Sequence, residues 1–579
     1  MNDIKSRIPL PPEQLFNRIK LPARRDVQES IQGVSVNLSI VQDFMPLSES
    51  LEWELSDLYW ATEGLLPFTG NDVPFIINNN GRLSEDAAAI LYANCAESES
   101  LGDRIDVLEL GGGTGLFARY FLDAFRIICE QEGRDFYERL VYHASDHSHR
   151  TAEQWVERGL FAGHDGHVIV GTCDATKPSN FRTLDGPEIH PENLRAIFAN
   201  YVLDVLPSAI VRAAPSGPEQ MCIRTHISDQ ATLANRYPRF SLADVRALAA
   251  SKAPEERARL LPILNLFDFE SAFRPVAGGG LPYLNEALSF DSSIERVVLN
   301  YGAIECLEGC MRALGREGFV LVNDYGPVER EQAAGHASMQ RFGSSIAVGI
   351  NFPFLENHFN KNGMAVVKAE GDEARPIHTR LVCKSETPQT REAFRHRFGK
   401  AAQEHFESPS EEARRHAAAG RLNEALDSYR VALERNPRNW HLIGEVSEFV
   451  ALQLKDFQAG LELIRAAIDL NPWYSTWLWN VLGDCLFCLN RFDDAHEAYL
   501  QAQRINPDDV RTNYNLAYTY LQFGSCREAL EATARGLAND PLGAYRERLL
   551  NKQQEILAAI SARWVGEQDR MFKRASIYT

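Results

Sequence analysis

Residues 105–125 read IDVLELGGGTGLFARYFLDAF, and the rest of the chain is organised around them. Ile105-Asp106-Val107-Leu108-Glu109-Leu110 is a short apolar run that suits a strand buried on both faces. Gly111-Gly112-Gly113-Thr114-Gly115 follows, and then Leu116, Tyr120, Leu122 and Phe125 recur at helical spacing. A strand, a glycine-rich turn and a helix in that order bring backbone close to a ligand at a helix N-terminus. Glycine suits the turn because a Cβ would block both its tight geometry and the approach.

Dinucleotides and S-adenosyl-L-methionine (SAM) are both bound by this device. The dinucleotide pattern G-x-G-x-x-G, counted from Gly111, needs glycine at position 116, where the chain has Leu116. Counts from Gly112 or Gly113 fail too, because Gly115 is the last glycine of the run. What remains is E-x-G-x-G-x-G: Glu109, Gly111, Gly113 and Gly115. This resembles the first motif of the class I SAM-dependent methyltransferases. The resemblance implies a Rossmann-like α/β domain with SAM held at Glu109, Gly111, Gly112, Gly113, Thr114 and Gly115.

Working outward, residues 140–146, 167–174, 194–200 and 318–326 read as further strands separated by helical stretches, which predicts a parallel sheet covered on both faces. Ligands in such sheets bind beyond the carboxyl ends of the strands. Glu109, Asp146, Asp174 and Asn200 all fall there. Asp146 is expected at the ribose hydroxyls, Asp174 at the adenine amino group, and Asn200 beside the cofactor. Residues 74–81, with their Asn-rich turn, are a candidate cap over the site, and residues 228–293 are expected to form a helical lid or insertion.

A narrower resemblance rests on Phe75-Ile76-Ile77, the glycine loop, Ser145-Asp146-His147-Ser148, the run 199–207 (ANYVLDVLP), Asp324-Tyr325-Gly326 and Arg341-Phe342-Gly343-Ser344. Their order resembles that of the MidA family, SAM-dependent methyltransferases linked to assembly of respiratory complex I. A member of that family methylates arginine on a protein subunit. The similarity covers roughly residues 70–360 and implies an acceptor site at Asn200, Tyr201, Asp204 and Tyr325. The family has Glu after the Asn of the fourth-strand motif, and here that residue is Tyr201. A guanidinium is held by carboxylates, and Asp204 and Asp324 are the ones left to do it.

The C-terminal third changes pattern. Residues 391–408 read as a charged linker. Beyond it, Asn436-Pro437, Asn471-Pro472, Asn506-Pro507 and Asp540-Pro541 recur about every 35 residues. Trp479, Leu482, Gly483, Ala495, Tyr499, Ala502 and Pro507 match the tetratricopeptide consensus. Residues 409–541 are therefore read as about four such repeats, with residues 542–579 as a capping helix and tail. Trp479 is expected in the core, and Trp473, Tyr474 and Trp477 as an exposed anchor. Such a solenoid presents a face for a peptide or protein, and homodimerisation is its other use.

Composition bounds the function. The chain has 579 residues and a net charge of −19 without long single-sign blocks, which argues against nucleic acid or an anionic membrane as main partner. No apolar run is long enough to span a membrane. The first twenty residues lack the apolar core of a signal peptide, and ten scattered cysteines make no disulfide framework, so the cytoplasm is the expected compartment. Cys485-x-x-Cys488 has no second pair at zinc spacing, and no metal site is expected. The function expected is SAM-dependent methyl transfer to a protein, arginine being one candidate acceptor. The alternatives are a small-molecule N- or O-methyltransferase that uses its repeats to recruit a partner, and a SAM-binding scaffold without turnover.

Overall fold

The computed structural model describes residues 39–575, apart from 71–72, 74, 77, 100, 228–229, 277–279, 291–294, 336–338, 386 and 541–542. The chain divides into two compact units, residues 1–67 with 72–405 and residues 68–71 with 406–579. Ile77 and most of the expected N-terminal arm, residues 1–45, lie outside the described residues; residues 39–45 are strand rather than arm.

The first unit begins with β1 (Ser39–Pro46), α1 (Leu51–Glu63) and α2 (Arg82–Glu97). It continues with β2 (Ile105–Leu110), α3 (Leu116–Gln131), β3 (Leu140–Asp146), α4 (His149–Glu157) and β4 (Val168–Cys173). Two short strands, β5 (Phe181–Thr183) and β6 (Glu188–Ile189), precede β7 (Leu194–Asn200). After an excursion come α5 (Tyr301–Ala313) and a long strand, Leu314–Asp324. The excursion holds β8 (Ala209–Ala214), β9 (Gly217–Ile227), β10 (Phe267–Pro275) and β11 (Val297–Leu299), so the long strand is β12. The unit ends with a hairpin of β13 (Met339–Phe342) and β14 (Ser345–Val348), then α6 (Phe352–Lys361), β15 (Ala365–Lys368) and β16 (His378–Cys383).

The main sheet runs β15-β16-β12-β7-β2-β3-β4-β5-β6. Strands β12, β7, β2, β3 and β4 are parallel, and β16 is antiparallel to both β12 and β15. From β2 the chain goes to β3 on one side and returns to β7 on the other. The strand order therefore reverses beside β2, and a crevice opens at the carboxyl ends there. The apolar runs of these strands are explained by burial on both faces: Val107, Leu108, Ile197 and Phe198 are fully covered. Phe117 and Phe121 of α3 close over Phe198 with ring centroids 5.3 and 5.0 Å away. This aromatic contact fixes α3, and with it the glycine turn, against the sheet.

The region expected to be a helical insertion is mixed. Helices Gln230–Arg236, Leu242–Ala250, Pro254–Ala258 and Leu284–Phe290 are present, but β10 pairs along β9 in a second, antiparallel sheet with β1, β8 and β11. The cause is legible in β10: Phe267, Phe269, Ser271 and Phe273 alternate with Asp268, Glu270 and Arg274, a period of two. The expected linker is also structured, as helices α7 (Pro388–Phe398) and Lys400–Phe406; Phe394 and Phe398, four apart, are buried and anchor the first.

The second unit contains four helix pairs among the described residues. They are α8 (Ser408–Ala418) with α9 (Leu422–Arg435), α10 (Trp440–Glu448) with α11 (Phe457–Leu470), α12 (Thr476–Cys488) with α13 (Phe492–Ile505), and α14 (Val510–Gln522) with α15 (Cys526–Ala538). Close helix approach requires the small residues: a Cβ on Gly483 would lie 2.2 Å from the Tyr499 ring. The last helix, α16, runs Arg546–Ala575 and buries Leu549 and Ile556. Trp479, expected in the core, is half-buried, whereas Tyr474, expected on the surface, is 3% exposed. Trp479 instead lies at the helix edge, where its indole N–H donates to Pro472 O at 3.2 Å. Among the described residues no helix is long and apolar enough to cross a membrane.

Candidate functional site

The glycine turn leaves β2 with three residues in the left-handed region: Gly111 at φ 59°, Gly113 at 54° and Gly115 at 72°. At three positions the space a Cβ would need belongs to the protein itself. Added at Gly111 it would meet Val202 Cγ2 at 2.7 Å, at Gly112 the Trp155 ring at 2.9 Å, and at Gly115 Leu160 Cδ2 at 2.5 Å. Trp155 is fully buried beneath the turn, and its indole N–H donates to Gly113 O at 3.0 Å. From the other side Thr114 Oγ1 donates to Asn79 Oδ1 at 2.8 Å, so the Asn-rich turn ahead of α2 is tied directly to the loop.

Both expected carboxylates of this loop are engaged by protein. Asp146 Oδ2 accepts the Gly113 N–H and Oδ1 the Ser148 N–H, each at 2.9 Å. Glu109 is 2% exposed and accepts a hydrogen bond from the Tyr142 hydroxyl at 3.0 Å. Burial, with the nearby Asp146 charge added, pushes its carboxyl up to about 8, so at neutral pH it is largely protonated. Asp174 stands apart from the loop. It is exposed, and its Oδ1 caps a turn by accepting the Thr176 N–H and hydroxyl at 2.9 and 2.7 Å. It borders a depression of about 250 Å³ that it shares with His147, Lys177 and Arg182.

The second half of the site hangs on Asp324, at the end of β12. Its Oδ2 accepts the N–H groups of Leu203 and Asp204 at 3.1 and 3.2 Å, and its Oδ1 accepts that of Tyr325 at 2.8 Å. One fully buried carboxylate thereby joins the turn after β7 to the turn after β12. Tyr201 is held at φ 54°, a strained conformation for a bulky residue, with its N–H donating to Asn323 O at 2.9 Å. Gly326, at φ 150°, is obligatory for space as well, since a Cβ there would lie 2.2 Å from Ile350 O.

Asn200, Tyr201, Asp204 and Tyr325 are brought together by these turns. Asn200 Oδ1 and Nδ2 are buried without a hydrogen-bond partner among the described residues, whereas the Tyr325 hydroxyl pairs with the Asp204 carboxyl. Buried polar groups are almost always satisfied, and the Asn200 amide at the end of β7 is an exception. Burial pushes the Asp204 carboxyl up to about 7. Asp324 is driven upward by burial and by the neighbouring Asp204 charge, and the hydroxyls of Tyr201 and Tyr325 are raised by burial and by the two aspartates. Trp155, Val202 and Asn323 are the residues sequence reasoning missed. Apolar or amide side chains carry no local signal of function, and only the packing reveals them.

Residues 88–367 match the family model described as "Putative S-adenosyl-L-methionine-dependent methyltransferase", and residues 483–524 match the model of the TPR repeat. The peroxisomal targeting signal receptor of Eremothecium gossypii is 34% identical over 109 residues, which is 18% of this chain and 19% of the receptor. That of Candida albicans is 33% identical over 84 residues, 14% of each chain. The chain thus spans no more than about a fifth of these curated relatives. Among solved structures, a Burkholderia thailandensis protein bound to S-adenosyl-homocysteine is 16% identical, with TM-score 0.35, covering 56% of this chain and 74% of that one. A thermophilic TPR protein of Thermus thermophilus is 25% identical, with TM-score 0.22, covering 26% and 77%.

The fold and the glycine-loop site define the class: a SAM-dependent methyltransferase domain followed in the same chain by tetratricopeptide repeats. Residues 88–367 are a domain of the matched family, and its cofactor is SAM. The unsatisfied Asn200 amide and the left-handed glycine cradle fit that group, which carries both hydrogen-bond donors and acceptors.

Proposed function

We propose that this protein methylates a protein acceptor that its tetratricopeptide repeats bind. The observation that carries the reading is the buried Asp204 carboxyl, paired with the Tyr325 hydroxyl beside Asn200 and Tyr201, on a chain that also holds four repeat pairs. Glu109, the 111–115 turn, Asp146 and Asn200 are the residues that would hold SAM, and Asp174 would lie at the adenine end. The bound cofactor supplies an electrophilic methyl group.

The acceptor side is the work of this chain's own residues. Asp204 Oδ1 takes the proton that an acceptor nitrogen loses on methylation, a role suited to a carboxyl near pH 7. Tyr325 and Asn200 orient the acceptor by hydrogen bonds, and Asp324 holds the Asp204 turn in place. An arginine acceptor would meet a single carboxylate here, that of Asp204, because Asp324 is engaged by three backbone N–H groups and Tyr201 replaces a carboxylate. The repeats raise the acceptor's effective concentration at the site.

The test is incubation of the full-length chain with methyl-labelled SAM in cell lysate. Label in the protein fraction, lost in Asp204→Asn with S-adenosyl-homocysteine binding retained, supports the proposal. Label found only among small molecules would overturn it.

A further inference from the structure

A groove of about 580 Å³ in the first unit is used by nothing described so far. Its floor is one face of α6, with Pro353, Glu356, Asn357, Asn360 and Lys361 along it, and Val328, Arg330 and Lys368 form the walls. On a chain of net charge −19 its electrostatics are inverted. Arg330, Lys361 and Lys368 are exposed and have no ion-pair partner among the described residues, Arg330 lying over the Phe290 ring at 4.7 Å. Glu356, the groove's acid, shares the fully buried Arg380 with Asp372: the guanidinium donates to Glu356 Oε1 at 2.6 Å and pairs with Asp372 Oδ2 at 2.7 Å, which leaves the three exposed cations in excess over Glu356 along the groove. Asn357 Nδ2 has no hydrogen-bond partner among the described residues but is itself buried, so the groove's charge rests on its cations. Three exposed cations without an ion-pair partner among the described residues make a surface for anionic groups.

The groove is also joined along the chain to the turn that carries Tyr325. Val328 follows the Asp324-Tyr325-Gly326 turn by two residues, and Gly326 rests on Ile350, from which the chain passes through Asn351 into α6. A chain segment with its target residue at Tyr325 would continue along α6. We propose that this groove receives an acidic segment of the acceptor protein flanking the methylated residue. The inference rests on the protein-acceptor reading above.

Binding of a fluorescein-labelled oligoglutamate peptide to the full-length protein, followed by anisotropy, tests it, with oligoglutamine and oligolysine as controls. Oligoglutamate is expected to bind more tightly than either. The combined change Arg330→Glu, Lys361→Glu and Lys368→Glu should weaken it about tenfold or more, as expected for losing three exposed ionic contacts. These positions are exposed, and unchanged S-adenosyl-homocysteine binding confirms that the variant is folded. Unlabelled oligoglutamate should also suppress methyl labelling of lysate proteins. No preference over oligoglutamine, a preference that survives the triple change, or binding that does not compete with labelling would each overturn the proposal. Because the peptide assay reads no methyl transfer, its failure leaves the acceptor reading intact, and a failure of lysate labelling alone leaves the groove's preference for acid standing.

Discussion

Among the buried carboxyls of the site with raised affinities for protons, Asp204 and Glu109 have different consequences. Asp204 must lose its proton to act as a base, so kcat should climb with pH to a plateau above about 7. Asp204→Asn should lower kcat by about a hundredfold or more, abolish that rising limb, and leave the Kd for S-adenosyl-homocysteine within about twofold; steady-state kinetics with calorimetry reads all three. Glu109 acts on stability instead. Unfolded, its carboxyl releases its proton near 4.5, and folded only near 8, so between these values the native state holds more protons. Its contribution is fully present below about 4.5 and is lost as pH rises through about 8. Glu109→Gln, an isostere of the protonated form that still accepts from Tyr142, should remove this loss, so that stability falls less between pH 4 and pH 9 than in the unsubstituted chain, measured by denaturant unfolding at the two pH values.

At the scale of elements, the turns after β7 and β12 behave as one part because Asp324 bonds to both. Gly326 is where the second turn meets Ile350, and Gly326→Ala should cost about 2 kcal/mol or more from strain and overlap. Tyr325 should shift with it, so thermal unfolding and kcat should fall together. In the repeats, the inner helices α10, α12 and α14 share a buried polar seam. Arg511 donates to Glu448 at 3.1 Å and to Asp484 at 2.7 Å, Trp477 donates to Glu448, and Tyr499 to Asp484. Removing the one cation leaves two buried carboxylates facing each other, so Arg511→Met should destabilise this unit by about 3 kcal/mol. Hydrogen exchange should then speed up in α10, α12 and α14 while the protection of β2, β7 and β12 is unchanged.

For the whole molecule, ligand binding and folding are linked through the first unit. S-adenosyl-homocysteine at about a hundred times its Kd should stabilise that unit by about 2.7 kcal/mol, and calorimetric scans with and without it would show the shift. Much of this organisation was legible in the chain itself. The E-x-G-x-G-x-G run announced the strand, turn and helix because a left-handed turn admits glycine almost alone, and the Asn-Pro recurrence marked the repeats because each proline ends a helix at a fixed period. β10 was missed although Phe267, Phe269 and Phe273 alternate with charge, its signal being masked by helix formers on either side. Glycine patterning, strand-end polar residues and the repeat period are local quantities, and from the sequence by itself they determined the fold class, the cofactor and the two-part architecture. Only the tertiary structure decided that Asp324 serves the backbone while Asp204 faces the Tyr325 hydroxyl, that Trp155 seats the glycine turn, and that three cations line one groove. Those facts depend on burial and on neighbours far apart in sequence, which residue order alone does not specify.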